Sequence, residues 1–213
     1  MYRILALLIG YAFGMFQTAY FVGKMSGIDI REHGSKNAGF SNTNRVLGRK
    51  AGAVVFVADI IKTILAFVVA TLLFDGGGTF FASDFILPGL YAGIGSILGH
   101  DFPFFLKFKG GKGISCSLGL ILMLDWRVAL IAFGTGAVLV ILFRYISLAS
   151  LTIVFLAPIL MMVFGYSIES VVLAAASCAL AWFLHCGNIQ RLYKGEERKF
   201  SFSKSSKDTT ENT

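Results

Sequence analysis

Three polar segments in an otherwise apolar chain carry the residue types that could handle a phosphorylated substrate. The first, residues 26–48, sets Ser35, Asn37, Gly39, Ser41, Asn42 and Arg45 among glycines and basic side chains. Glycine lets successive backbone N–H groups converge on one anion, and the arginine fork can donate two bonds to a phosphate at once. The second, residues 99–113, ends in Lys109-Gly110-Gly111-Lys112-Gly113, directly before an apolar run. A basic, glycine-rich stretch at a helix N-terminus favours an anion there, although the nucleotide-binding spacing G-x-x-x-x-G-K-[ST] is absent. The third, residues 185–192, begins with His185 and Asn188, which share a face on a helix, and continues to Arg191. Each segment also has a plainer reading: a loop carrying topological charge, a flexible basic turn, an interfacial histidine.

These segments must be positioned by membrane helices. Of the 213 residues, 56% are hydrophobic and 15% charged, against roughly a quarter charged in soluble proteins. The mean hydropathy of +0.74 leaves too little polar surface to cover a water-soluble core. A span needs about 20 apolar residues. Residues 4–22, 51–74, 148–166 and 168–184 are long enough, and three shorter runs lie at 85–99, 114–124 and 128–143. The apolar start is followed by further apolar segments, so it reads as a retained first span rather than a cleaved signal. Sixteen of the nineteen basic residues fall in loops that one topology places together on the cytoplasmic side, with the N-terminus outside and the C-terminus inside. That arrangement needs an odd number of spans. The expectation is an all-α, polytopic membrane helix bundle of about seven transmembrane helices, with five plus a re-entrant hairpin at 114–143 as the alternative. Residues 1–198 are expected to form a single membrane-embedded domain, and 199–213, rich in Ser, Lys and Thr, a disordered cytoplasmic tail. The net charge of +7 is then topological bias and attraction for anionic headgroups, and calls for no nucleic acid.

Cys116, Cys178 and Cys186 show no C-x-x-C spacing and imply neither a zinc site nor a disulfide framework. Asp59 and Lys62 lie three apart inside a span, where charges must pair or face a polar cavity. A structural ion pair is the expected role. No histidine is followed by the acid of an H-x-x-x-x-D pair: Ala38, Phe105 and Gln190 stand at those positions.

Together the three segments resemble the bacterial acyl-phosphate:glycerol-3-phosphate acyltransferase family, PlsY. Its first motif, G-S-x-N-x-G-A-T-N-x-x-R-x-x-G, stands here as Gly34, Ser35, Asn37, Gly39, Ser41, Asn42, Arg45 and Gly48, with Phe40 and Ser41 in place of the usual Ala and Thr. Its second, G-H-x-x-P-x-F-L-x-F-K-G-G-K-G, matches from Gly99 to Gly113, and its third, H-R-x-N-I-x-R-L, at His185, Asn188, Ile189, Arg191 and Leu192. Asp59-Ile60-Ile61-Lys62 and Arg144 to Ser150 are further echoes. Cys186 and Gly187 stand where the family usually has Arg and Glu, which removes an acidic partner for a nearby cation.

The resemblance implies an integral enzyme of the bacterial inner membrane with its active site facing the cytoplasm. It would transfer a fatty acyl group from acyl phosphate to the 1-hydroxyl of glycerol 3-phosphate, giving lysophosphatidic acid and phosphate, the first step of phospholipid synthesis. It implies catalytic roles for Ser35, Arg45, His185 and Asn188. Asn37, Gly39, Ser41, Asn42, Lys109, Gly110, Gly111, Lys112, Gly113 and Ser147 would bind substrate. Neither a metal nor a cofactor is needed. The hydroxyl proton could go to His185 or to a substrate phosphate oxygen. Partners would be the two substrates, the bilayer and, transiently, the enzyme that makes acyl phosphate. A transporter for a phosphorylated solute is the main rival, against which stand the lack of an internal repeat and the one-sided placement of the motifs. A lipid-binding scaffold would not need His185 and Asn188 together.

Overall fold

The computed structural model describes residues 1–74 and 86–200. Apart from two short 3-10 turns, the regular structure among them is α-helical. The helices are α1 (Tyr2–Gly14), α2 (Thr18–Met25), α3 (Phe40–Val46), α4 (Gly48–Phe74), α5 (Ile86–Asp101), α6 (Ile114–Leu124), α7 (Trp126–Phe143), α8 (Ile146–Val163), α9 (Ile168–Leu184) and α10 (Cys186–Tyr193). The apolar runs at 114–124 and 168–184 reappear as α6 and α9 with unchanged limits, and the other spans shift by a few residues. Of the expected tail, 199–213, residues 201–213 lie outside the described residues, while Lys199 and Phe200 are described and the Phe200 amide bonds the Arg144 carbonyl.

The first apolar run is broken. α1 and α2 are separated at Met15–Gln17, and the buried Gln17 side chain donates to the carbonyl of His100 at 2.8 Å. A freed backbone group at membrane depth has no water to satisfy it. Here the Phe16 carbonyl accepts from Lys62 Nζ on α4 at 2.8 Å.

Four stretches are long and apolar enough to cross a membrane: Tyr2–Met25, Gly48–Phe74, Trp126–Phe143 and Ile146–Val163. α9 and α10 form a fifth if their 63° bend is counted within one span. The 16 residues of α5 and the 11 of α6 fall short, rising about 24 Å and about 16 Å against roughly 30 Å of hydrocarbon. By length and composition alone, four or five spans are counted among the described residues.

The tightest packing joins α1 to α5. A methyl group added at Gly10, Gly14, Gly95 or Gly99 would lie 1.8–2.2 Å from a carbonyl oxygen of the facing helix. Gly10 meets Ala92 and Gly14 meets Ser96, so residue numbers rise together and the two helices run parallel. Lipid tails are as apolar as leucine, so helices in a bilayer associate through such close contact rather than through burial from water. A second core, built from Leu120, Ile121, Leu124, Val128, Ala132, Ile153 and Met161, joins α6, α7 and α8 to α5. A long cleft lies beside this core, and the polar segments meet at one end of it.

Candidate active site

The cleft, of about 1980 Å³, is polar at one end and apolar along its wall. Ser35, Asn37, Gly39, Ser41 and Arg45 come to it from the loop before α3 and from α3 itself. Lys112 and Gly113 come from the N-terminus of α6, Ser147 from the start of α8, and His185, Asn188 and Arg191 from the joint between α9 and α10. The wall is formed by Phe56, Leu118, Gly136, Ala137, Val140 and Ile153.

Asn42 is in the same motif but does not line the cleft. It is fully buried; its Oδ1 accepts from the Ser35 amide at 2.7 Å, and its Nδ2 donates to the carbonyls of Ile30 and His33 at 2.9 and 3.0 Å. Asn42 therefore folds the loop that presents Ser35. Lys109, Gly110 and Gly111 also lie off the cleft lining. Gly110 and Gly111 donate their amides to the carbonyls of Asp101 and His100 at 3.1 and 3.0 Å. A methyl group at Gly111 would sit 1.9 Å from His100 Nε2, so these glycines let the loop close over the end of α5. Lys107 and Phe108 both adopt positive φ just before them, which turns Lys109 outward to solvent.

Gly113 is at φ +67°, where a side chain is strained, and an added methyl group would meet Ile97 at 2.8 Å. It starts α6 with Lys112, Ile114 and Ser115 beside the cleft, so the positive end of that helix faces the polar pocket. Lys112 Nζ donates to Asn188 Oδ1 at 2.5 Å. Burial, and to a lesser degree the neighbouring Arg191, lower the Lys112 pKa from its ordinary value. Burial also lowers Arg45, reinforced by Arg198. A second anion in the cleft would relieve both.

His185 is buried at the end of α9, and its Nδ1 lies 2.7 Å from the Ala181 carbonyl. A carbonyl only accepts, so Nδ1 carries the proton and Nε2 presents a lone pair. Burial pushes the imidazole pKa down to about 4, opposed in part by the bond to Ala181. The ring is neutral near pH 7.

Asp59 and His100 also line the cleft, and Asp59 and Lys62 form the expected ion pair, at 2.8 Å. Lys62 Nζ also lies 2.9 Å from His100 Nδ1. Asp59, His100 and Cys116 offer a carboxylate, an imidazole and a thiol within 4.8 Å of one another. The Lys62 ammonium contacts the first two of these groups.

Glu197 was not singled out by its sequence context. It follows α10 in a strap that crosses to the α7–α8 turn, where the Phe200 amide donates to the Arg144 carbonyl at 2.6 Å. Its carboxylate enters the cleft among Ser147, Asn188 and Arg191. Burial raises its pKa, and the bonds from Asn188, Ser147 and Arg191 outweigh that and bring it below the usual glutamate value. The signal that could have found it is the unpaired Arg191 left by the loss of an acid at Gly187.

A profile described as glycerol-3-phosphate acyltransferase matches residues 4–195. The chain belongs to the glycerol-3-phosphate acyltransferase family. A member of this family from Thermoanaerobacter sp. (strain X514) is 37% identical over 200 residues, covering 93% of this chain and 96% of the relative. The Aquifex aeolicus member is 32% identical over 200 residues, covering 94% and 100%. Crystal structures of PlsY (YgiH), an integral membrane glycerol 3-phosphate acyltransferase, superpose closely. The glycerol 3-phosphate form gives a TM-score of 0.83 at 32% identity, covering 93% of this chain and 96% of that one. The lysophosphatidic acid form gives 0.80 at 31% identity, covering 93% and 95%. This acyltransferase is thus an all-helical integral membrane enzyme of the PlsY family.

Proposed function

We propose that this acyltransferase takes its acyl group from an acyl phosphate and delivers it to the 1-hydroxyl of glycerol 3-phosphate, giving lysophosphatidic acid and inorganic phosphate. The observation that carries this reading is the two-part cleft. Beside the Arg191–Glu197 pair, its polar end gathers Arg45, Lys112, Arg198 and Lys199, positive charge suited to phosphate groups, and its apolar wall continues from that end.

Arg45 and Lys112 balance the phosphate of glycerol 3-phosphate, with Ser35, Asn37, Gly39 and Ser41 around it and the N-terminus of α6 behind the second phosphate. Asn42 acts through Ser35, and Gly110, Gly111 and Lys109 act by shaping the loop that ends in Lys112. The acyl chain lies along Gly136, Ala137, Val140 and Ile153. His185 Nε2 accepts a hydrogen bond from the 1-hydroxyl and aims its oxygen at the activated carbonyl carbon. A conjugate acid near 4 makes this imidazole a weak base, and general-base catalysis works best with a pKa near the working pH. On this reading the proton goes to an oxygen of the acyl phosphate. As the new C–O ester bond forms, the carbonyl–phosphate bond breaks, and phosphate leaves with the proton. Holding both reactants in one cleft supplies much of the rate.

We assign the chain seven crossings as a single unit of the bacterial cytoplasmic membrane, N-terminus outside and cleft facing the cytoplasm, with α5 and α6 as short crossings. The parallel α1 and α5 support an alternating arrangement with α4 passing back between them.

The test supplies purified enzyme with labelled glycerol 3-phosphate and, in turn, acyl phosphate or an acyl thioester. Prompt 1-acyl product and phosphate release with acyl phosphate alone is the expected result. Turnover with the thioester and none with acyl phosphate would overturn the donor assignment.

A further inference from the structure

We propose that Glu197 is a positioning residue of the acyl-transfer site, fixing the hydrogen-bond direction of Ser147 and Asn188 and, through Asn188, the place of Lys112. This deepens the acyltransferase reading and rests on it. The Glu197 carboxylate binds three side chains from two separate helices. Oε1 accepts from Ser147 Oγ at 2.9 Å and from Asn188 Nδ2 at 2.8 Å, and Oε2 accepts from Arg191 Nε at 2.7 Å.

A carboxylate only accepts, so each contact has one possible direction. The Asn188 amide must turn its nitrogen to Glu197, which leaves its oxygen to face Lys112 Nζ. Were the amide free to flip, its NH2 group would meet the Lys112 ammonium, donor against donor. Ser147 has a single hydroxyl proton and commits it to Glu197, so toward a substrate its oxygen is an acceptor for a glycerol hydroxyl. Glu197 thereby sets the polarity of the cleft wall without itself handling the reacting atoms.

The strap is built to hold the carboxylate there. The amides of Glu196 and Glu197 both donate to the Arg191 carbonyl, at 2.8 and 3.1 Å, and the Phe200 amide closes onto Arg144. Position 187 allows a separation of roles. A side chain there would start 3.5 Å from Arg191 Nη1, so an acid at 187 can re-pair Arg191.

The experiment measures kcat and KM for glycerol 3-phosphate, and glycerol 3-phosphate binding by calorimetry with no acyl donor, in folded detergent-purified variants. Glu197→Ala should lower kcat about tenfold or more, the scale of a lost charge-assisted hydrogen bond. Glu197→Gln keeps an acceptor oxygen for Ser147 and Asn188 but turns its NH2 toward Arg191 Nε, so its kcat should fall between those of wild type and Glu197→Ala. Asn188→Ala should cost about tenfold in the wild-type background and under about threefold once Glu197 is Ala, because interacting residues are not additive. The same coupling should appear in the calorimetric Kd. Gly187→Glu added to Glu197→Ala should leave the loss in place. Multiplicative losses, rescue by Gly187→Glu, or a lower KM in Glu197→Ala would each overturn the proposal. Rescue would make Glu197 a mere counterion of Arg191, and a lower KM would make it a competitor of phosphate. Wild-type inactivity toward acyl phosphate would sink the donor assignment instead, and the coupling in Kd would still decide the role of Glu197.

Discussion

Replacing Lys62 by methionine keeps the volume of the side chain and removes its charge. Lys62 Nζ lies 2.8 Å from Asp59 Oδ1, 2.9 Å from His100 Nδ1 and 2.8 Å from the Phe16 carbonyl. Asp59 is only 1% exposed, so its carboxylate would be left buried without a counterion. Breaking a buried pair by removing one partner costs about 3–5 kcal/mol. For a chain of this size each kcal/mol moves the melting temperature by about 2–4 °C. Lys62→Met should therefore lower Tm by about 6–20 °C. Removing both charges should cost less than removing one, so Asp59→Asn with Lys62→Met should recover at least half of the fall. The assay is thermal unfolding in detergent read by a thiol-reactive dye, in a Cys186→Ser background, with the buried Cys116 and Cys178 as reporters. A single variant within about 2 °C of the parent, or a double variant as unstable as the single, would refute the claim that Lys62 is there to neutralise Asp59.

Asn42→Ala removes a side chain that satisfies three backbone groups and should cost about 1–3 kcal/mol or more; unfolding should register this more strongly than KM for glycerol 3-phosphate. If His185 acts as the neutral imidazole, its contribution to rate is fully present at pH 7 and lost only as pH falls through about 4. The pH–rate profile should lack an acid limb near 6.5, and a limb there that vanishes in His185→Ala would contradict the burial argument. Gly95→Val places a side chain against the Leu7 carbonyl, which a methyl group would already approach to 2.1 Å, and should abolish stable accumulation in the membrane, read on a blot.

Helical class and the ends of several helices were readable from apolar runs because period and length decide them locally. The run at 168–184 became α9 with the same limits. The break at Met15–Gln17 was not foreseen, because it is fixed by Gln17 and Lys62 reaching carbonyls and by His100 on a distant helix. The convergence of Arg45, Lys112, Ser147, His185 and Asn188 on one cleft followed the order of the motifs. Asn42 and Lys109 sat in the same motifs, yet one braces a loop and the other faces solvent. A residue that lines the cleft and one that holds its neighbour have the same chemistry in sequence; the bonds of Asn42 to Ser35, Ile30 and His33 and the turn at Lys107 and Phe108 separate them only in the fold. Glu197 escaped notice because the segment after α10 reads as the start of a polar tail.

The glycine-lined seam between α1 and α5 also sets a timetable for biogenesis. Gly10 and Gly14 emerge first, but their counterparts at Ala92 and Ser96 follow on the order of 80 residues later, at about 5–20 residues per second. For about 4–16 s α1 is present without α5, and its glycine face stays uncovered. A translational pause between α1 and α5 would lengthen that interval, and restoring normal speed would shorten it.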